Sequence, residues 1–149
     1  MGDNEQKIYL ANRGNLGGVD VDEENSMDYL QNAISEGFCV KTDVWLISGR
    51  TVTGVTHPSK GIDLSRLGRR DKILIQARNS AAYWYLLKEG YHCFWRESDS
   101  FVMTNKNYVL SYGGYAFPKA IVMEPEEPAN LKDEDYIGLC SNFIAGYRP

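Results

Sequence analysis

The chain has 149 residues, 43% of them apolar and 24% charged, and its 16 basic and 20 acidic side chains give a formal net charge of −4. That size suits one domain with a single core, and the composition excludes a disordered chain, which pairs low hydrophobicity with high charge. No apolar run approaches the ~20 residues of a spanning helix, and the acidic balance provides no global positive field for nucleic acid.

Lys7 to Asn12 is the first strand-like run, and it stops at Arg13-Gly14 before a Gly-rich loop through Gly18. Asn25-Ser26 offers a helix N-cap, and Met27, Leu30 and Ile34 then recur on one helical face. Gly37 stands where a C-terminal glycine belongs, and Phe38 to Ile47 reads as the next strand. A helical turn is expected at Asp63 to Leu67, and the basic stretch Arg66 to Lys72 reads as a solvated turn. Ile73 to Ala77 is a strand, Ser80 caps a helix from Ala81 to Glu89, and Gly90 ends it. Strands follow at Tyr91 to Trp95, Phe101 to Thr104, Tyr108 to Tyr112, Ala120 to Met123 and Ile137 to Phe143, with a helical turn at Asn130 to Tyr136.

Strands alternating with helices imply crossovers and a mainly parallel sheet. About eight such strands point to a closed α/β barrel, yet the chain is shorter than the ~200 to 400 residues usual for one. Connections such as Asn105-Lys106-Asn107 hold no helix. The expected fold is therefore a single domain over residues 1–149, a small, stripped or distorted TIM-barrel-like α/β fold of parallel strands and short helices.

In a parallel barrel the reactive groups sit at the C-terminal ends of strands. Strand alternation turns Val40 and Val44 outward and Lys41, Asp43 and Trp45 inward. It likewise turns Ile73, Ile75 and Ala77 outward and leaves Gln76 and Arg78 inside. The apolar residues fall on the helix-covered side, so the inward polar residues are the candidate site.

The order of these segments resembles the glycerophosphodiester phosphodiesterase family. The matching segments are Asn12-Arg13-Gly14, Glu24-Asn25-Ser26, Gly37 with Lys41-Thr42-Asp43-Val44, Gly49 to His57, Gln76-Ala77-Arg78 and Gly138-Leu139-Cys140-Ser141-Asn142. The resemblance implies two histidines acting as general acid and base, and a divalent metal held by carboxylates. This chain departs from that pattern. Asn12 stands at the first histidine position and cannot titrate. Lys41 stands at a metal-ligand position, where an ammonium repels a cation, and Gln76 replaces a second ligand. Asp43 alone keeps its carboxylate. The second histidine position falls at Val55, followed by Thr56, with His57 two residues further along the same strand face.

The main expectation is thus a catalytically inactive relative with no cofactor, binding a phosphorylated small molecule or a protein partner. Arg13 would fork onto the phosphate, Lys41 would replace the metal's charge and Asp43 would orient both. Asn12, Trp45, Gln76 and Arg78 complete the candidate ligand-binding set. Salt bridges from Asp43 to Lys41 or Arg78, closing a former active site, are the competing explanation for the same residues. A second expectation keeps an enzyme, a metal-dependent phosphodiesterase with His57 as general base and Asp43 and Glu124 holding the ion. A third is an interaction module of a larger assembly, such as a viral or phage particle.

Cys39, Cys93 and Cys140 each lie in an apolar run and read as buried reduced thiols. His57 and His92 are too few to complete zinc clusters with them. The polar start from Met1 to Lys7 has no signal-peptide core. Together these give the expectation of a reducing, cytoplasmic setting.

Overall fold

The computed structural model describes residues 6–124 and 135–148. β1 (Ile8–Asn12) runs into a long loop and then α1 (Met27–Ser35), which returns the chain to β2 (Cys39–Ile47) beside β1 and parallel to it. α1 begins where Ser26 Oγ accepts from the Tyr29 amide, and it turns Leu30 and Ala33 fully inward. β2 overruns its parallel neighbours, and its last residues pair with β3 (Arg50–Thr53) in an antiparallel hairpin. β4 (Lys60–Gly61) pairs with β3. Single 3-10 turns at Leu64–Leu67 and Arg70–Lys72 lead to β5 (Ile73–Ala77).

The second crossover is α2 (Ser80–Lys88), between β5 and β6 (Cys93–Trp95). Its N-cap is Asn79, not Ser80: Asn79 Oδ1 accepts from the Ala82 amide at 3.0 Å. β7 (Phe101–Met103), β8 (Val109–Ser111), β9 (Ala120–Met123) and β10 (Gly138–Ser141) follow, and a 3-10 turn at Ile144–Gly146 closes the described chain.

Along the sheet the order is β6-β5-β2-β1-β10-β9-β8-β7, with the β3–β4 hairpin attached to the end of β2. Every pair in this order is parallel except β7 with β8. The sheet is strongly curled, so its two ends approach. Asn105, after β7, donates its amide N–H to Cys93 O, accepts from Cys93 N at 2.9 Å and donates Nδ2 to Tyr91 O at 2.8 Å. The fold is thus a mixed α/β, barrel-like sheet with few helices.

Two apolar layers follow from strand alternation. Inside the curl lie Ile8, Leu10, Cys39, Leu74, Phe94, Leu110, Ile121, Met123 and Cys140. Outside, Ala11, Val40, Val44, Ile73, Ile75, Ala77, Val122 and Leu139 pack under α1, α2 and the 3-10 turns. The three cysteines are buried free thiols. Burial pushes Cys93 up to about 11 and Cys140 up to about 12, so both stay protonated and unreactive. No described helix is long and apolar enough to cross a membrane.

Two expectations change in detail. β7 is antiparallel, because a connection as short as residues 104–108 cannot make a parallel crossover. The segment from Gly49 to His57 is not one strand: β3 ends at Thr53, and Val55 to His57 lie in the loop before β4. The expected helical turn at Asn130 to Tyr136 falls largely outside the described residues.

Candidate functional site

The C-terminal ends of β1, β2, β5, β9 and β10 converge on one carboxylate. Asp43 is completely buried. Its Oδ1 accepts from Lys41 Nζ at 2.8 Å and from Arg78 Nε and Nη2 at 2.9 and 2.6 Å. Its Oδ2 accepts from Arg13 Nε and Asn25 Nδ2, each at 3.1 Å. β2 supplies Lys41 and Asp43 two residues apart on one face, while β1 and β5 end beside it and deliver Arg13 and Arg78. The backbone ties confirm the register: Arg13 N donates to Lys41 O and Arg78 N to Val44 O.

A wider network surrounds this core. Glu24 Oε2 lies 3.8 Å from Arg13 Nη1, and Glu124 Oε1 lies 3.9 Å from Arg13 Nη2. Asn12 Nδ2 donates to Glu124 Oε1 and Asn142 Oδ1, both at 3.0 Å, and Asn15 Nδ2 donates to Glu24 and to Asn142, both at 3.1 Å. Asn12 Oδ1 is buried with no partner among the described residues.

Of the five non-glycine residues with positive φ among the described residues, three belong to this network: Arg13, Asn25 and Glu124. Such backbone costs about 1–3 kcal/mol per residue and persists where the surroundings enforce it, commonly at sites of function. Gly14 follows at φ 83°, and a Cβ there would stand 2.9 Å from the Tyr29 ring. The β1 end therefore sits hard against α1, which fixes where Arg13 points.

Burial alone would raise the Asp43 pKa, but the charges of Lys41, Arg78 and Arg13 and the Lys41 hydrogen bond outweigh it and hold the carboxyl well below its usual range. Burial drives the Lys41 ammonium downward, with Asp43 opposing and both arginines adding to the fall.

The other sequence candidates are placed as follows. Gln76 lies in register between Asp43 and Phe94 and is buried, and its side chain makes no hydrogen bond among the described residues. Trp45 is turned to the hairpin, where Nε1 donates to Gly54 O at 2.8 Å. His57 is exposed on the β3–β4 loop, 3.1 Å from Thr56 Oγ1, and lines a groove of about 470 Å³ with Glu24, Asn25 and Lys60. No bond joins it to Asp43.

Glu24, Asn25, Asn15 and Asn142 belong to the network but not to the sequence-derived set. The sequence offers Asn25-Ser26 as the N-cap of α1, yet Ser26 performs that capping and Asn25 turns back to Asp43 while its Oδ1 accepts from Thr42 at 2.7 Å. Tyr112 also escaped the sequence-derived set, although it follows β8 at the same end of the sheet. Its phenol is pushed up by burial and by neighbouring Cys140, Glu124 and Asp43, with Arg96 opposing from 3.7 Å above the ring.

These donors do not suit a divalent cation. Both Asp43 oxygens are taken by protein N–H groups, and an ammonium stands 2.8 Å away. Among the described residues no three His, Cys, Asp or Glu side chains gather around one point. The network instead holds two arginines at the sheet mouth, Arg78 with its Nη1 unbonded to any described residue. Compared with family models, curated proteins and solved structures, the chain matches none.

Proposed function

We propose that this chain is a non-catalytic, stripped TIM-barrel-like relative of the glycerophosphodiester phosphodiesterases that binds a phosphorylated small molecule at the mouth beside Asp43. The observation that carries the reading is the saturation of Asp43 by Lys41, Arg13, Arg78 and Asn25. Lys41 offsets the Asp43 charge from within, leaving Arg13 and Arg78 to present guanidinium N–H groups outward. Arg13 is held to Glu24 and Glu124 only at 3.8 and 3.9 Å, distances a phosphate oxygen can outcompete. Gln76 adds an amide with no hydrogen bond of its own among the described residues. Asn12 cannot move a proton, and His57 sits on an outer loop, so the acid–base pair of the resemblance has no counterpart here.

The test is thermal unfolding with inorganic phosphate and glycerophosphate. A ligand that binds only the folded state raises the midpoint, and Arg78→Ala should abolish the rise. No shift with either anion would sink the reading in favour of a filled interaction module. The enzyme reading retains one observation, that Glu124 does reach the Arg13–Asp43 network. It predicts metal-dependent phosphodiester turnover lost in His57→Ala; our reading predicts no turnover with any divalent metal.

A further inference from the structure

A second polar pocket lies at the opposite end of the sheet, where strands begin. Its volume is about 340 Å³, and it is lined by Arg70, Asp71, Gly90, His92, Lys106 and Tyr108. It shares Lys106 and Tyr108 with a larger groove of about 720 Å³ that Lys7 and Lys119 also line. The protonation of His92 is fixed by its neighbour. Thr104 Oγ1 accepts from the Lys106 amide at 3.3 Å and the Tyr108 amide at 3.2 Å, which fills both lone pairs. Its own hydrogen must therefore point to His92 Nε2, 2.6 Å away. A neutral His92 then carries its proton on Nδ1.

Nδ1 has no hydrogen-bond partner among the described residues, yet it is not sealed from solvent as Asn12 Oδ1 and Thr53 Oγ1 are. The ring is otherwise buried, packed 5.3 Å from Tyr108, and the pocket is the space that it borders. Two cations flank the same space. Lys106 Nζ forms no ion pair or hydrogen bond with a described residue. Arg70 is anchored over the Tyr91 ring at 3.9 Å and bonds to Glu89 O at the end of α2. Among the described residues one carboxylate lines the pocket, that of Asp71, and it is forked by Arg69 at 3.1 and 3.0 Å.

We infer that this pocket is a second oxyanion site, binding a phosphate group through His92 Nδ1–H, Lys106 and Arg70, independently of the mouth at Asp43. A tetrahedral oxyanion takes directed N–H donors together with flexible ammonium charge, and the pocket supplies both.

The experiment is an NMR titration of the full chain with inorganic phosphate, following the His92 ring signals, in the native protein and in Lys106→Glu and Arg78→Ala. Lys106 is exposed on a turn, so its replacement leaves the fold intact. The inference predicts a saturable His92 shift at millimolar phosphate, weakened roughly tenfold or more in Lys106→Glu and unchanged in Arg78→Ala. No saturable shift, or the same titration in Lys106→Glu, overturns it. A His92 response removed by Arg78→Ala overturns it too, because the anion would then act from the mouth. Failure here leaves the proposal for the mouth standing, since that rests on Arg78.

Discussion

A carboxylate withdrawn from water stays ionised only when protein donors replace its hydration. Asp43 has such donors on both oxygens, from Lys41, Arg78, Arg13 and Asn25. Removing the negative charge strands Lys41, which is buried as deeply. Asp43→Asn should therefore cost about 3–5 kcal/mol. Lys41→Met should cost clearly less, because Asp43 keeps both arginines and one desolvated ammonium is gone. Urea unfolding of the two variants checks this; equal losses would contradict it. His92 gives a separate, pH-dependent prediction. Burial, with Lys106 nearby, lowers its pKa from 6.5 to about 4. Between those values the unfolded chain binds the proton and the folded chain does not, so stability falls as pH falls, by up to ~3 kcal/mol across the window. Asp43 adds to the loss only below its ordinary value of 3.8. Urea midpoints at pH 6.5 and 4.5 should therefore differ in the native chain and differ less in His92→Gln. Alternation along β2 and β5 is enough to place Lys41, Asp43, Gln76 and Arg78 on one face. It cannot place Asn25, Asn15 or Asn142, whose directions follow loop geometry rather than a strand period.

The elements joining these residues depend on a few side chains with double duties. Asn79 caps α2 and also clamps the overrunning end of β2: Oδ1 accepts from Leu46 N and Nδ2 donates to Leu46 O, both at 3.1 Å. Asn79→Ala should lose about 2 kcal/mol, the upper end for a cap, and should speed amide exchange at Leu46. Ser80→Ala should do neither, because Ser80 is exposed and caps nothing. Unchanged Leu46 protection in Asn79→Ala would contradict the clamp. Both α-helices are legible from local signals, although the cap of α2 is Asn79, one residue before the Ser80 that the sequence suggests. The β2–β3 hairpin is legible in principle from Ser48-Gly49. Both residues have positive φ, 50° and 76°, between the paired Ile47 and Arg50, as a two-residue hairpin turn requires. Reading through that turn is what placed His57 on a strand face.

At the scale of the molecule, the chain of 149 residues forms a curled, mostly parallel sheet in which β6 joins β7, β7 joins β8 and β8 joins β9 without a helix. Phe101, Met103 and Tyr115 are exposed on that side as a result. Eight of the ten described strands are readable from the apolar runs of the sequence; the short β3 and β4 are not. The direction of β7 is not, because alternation looks the same in either direction and only the length of the connection decides. The closing contact through Asn105 is likewise silent in sequence, being one amide that bridges strands no helix joins. Charge is arranged by end. The strand C-termini carry the neutralised Asp43 network, and the strand N-termini carry Lys106, Arg70 and His92. The measurement that bears most directly on the central claim is an NMR titration of inorganic phosphate read at the arginine Nε–Hε signals. The account predicts saturable shifts of Arg13 and Arg78, which flank Asp43, and none of comparable size at Arg69, which is forked to Asp71. Shifts confined to Arg69, or none at all, would contradict it.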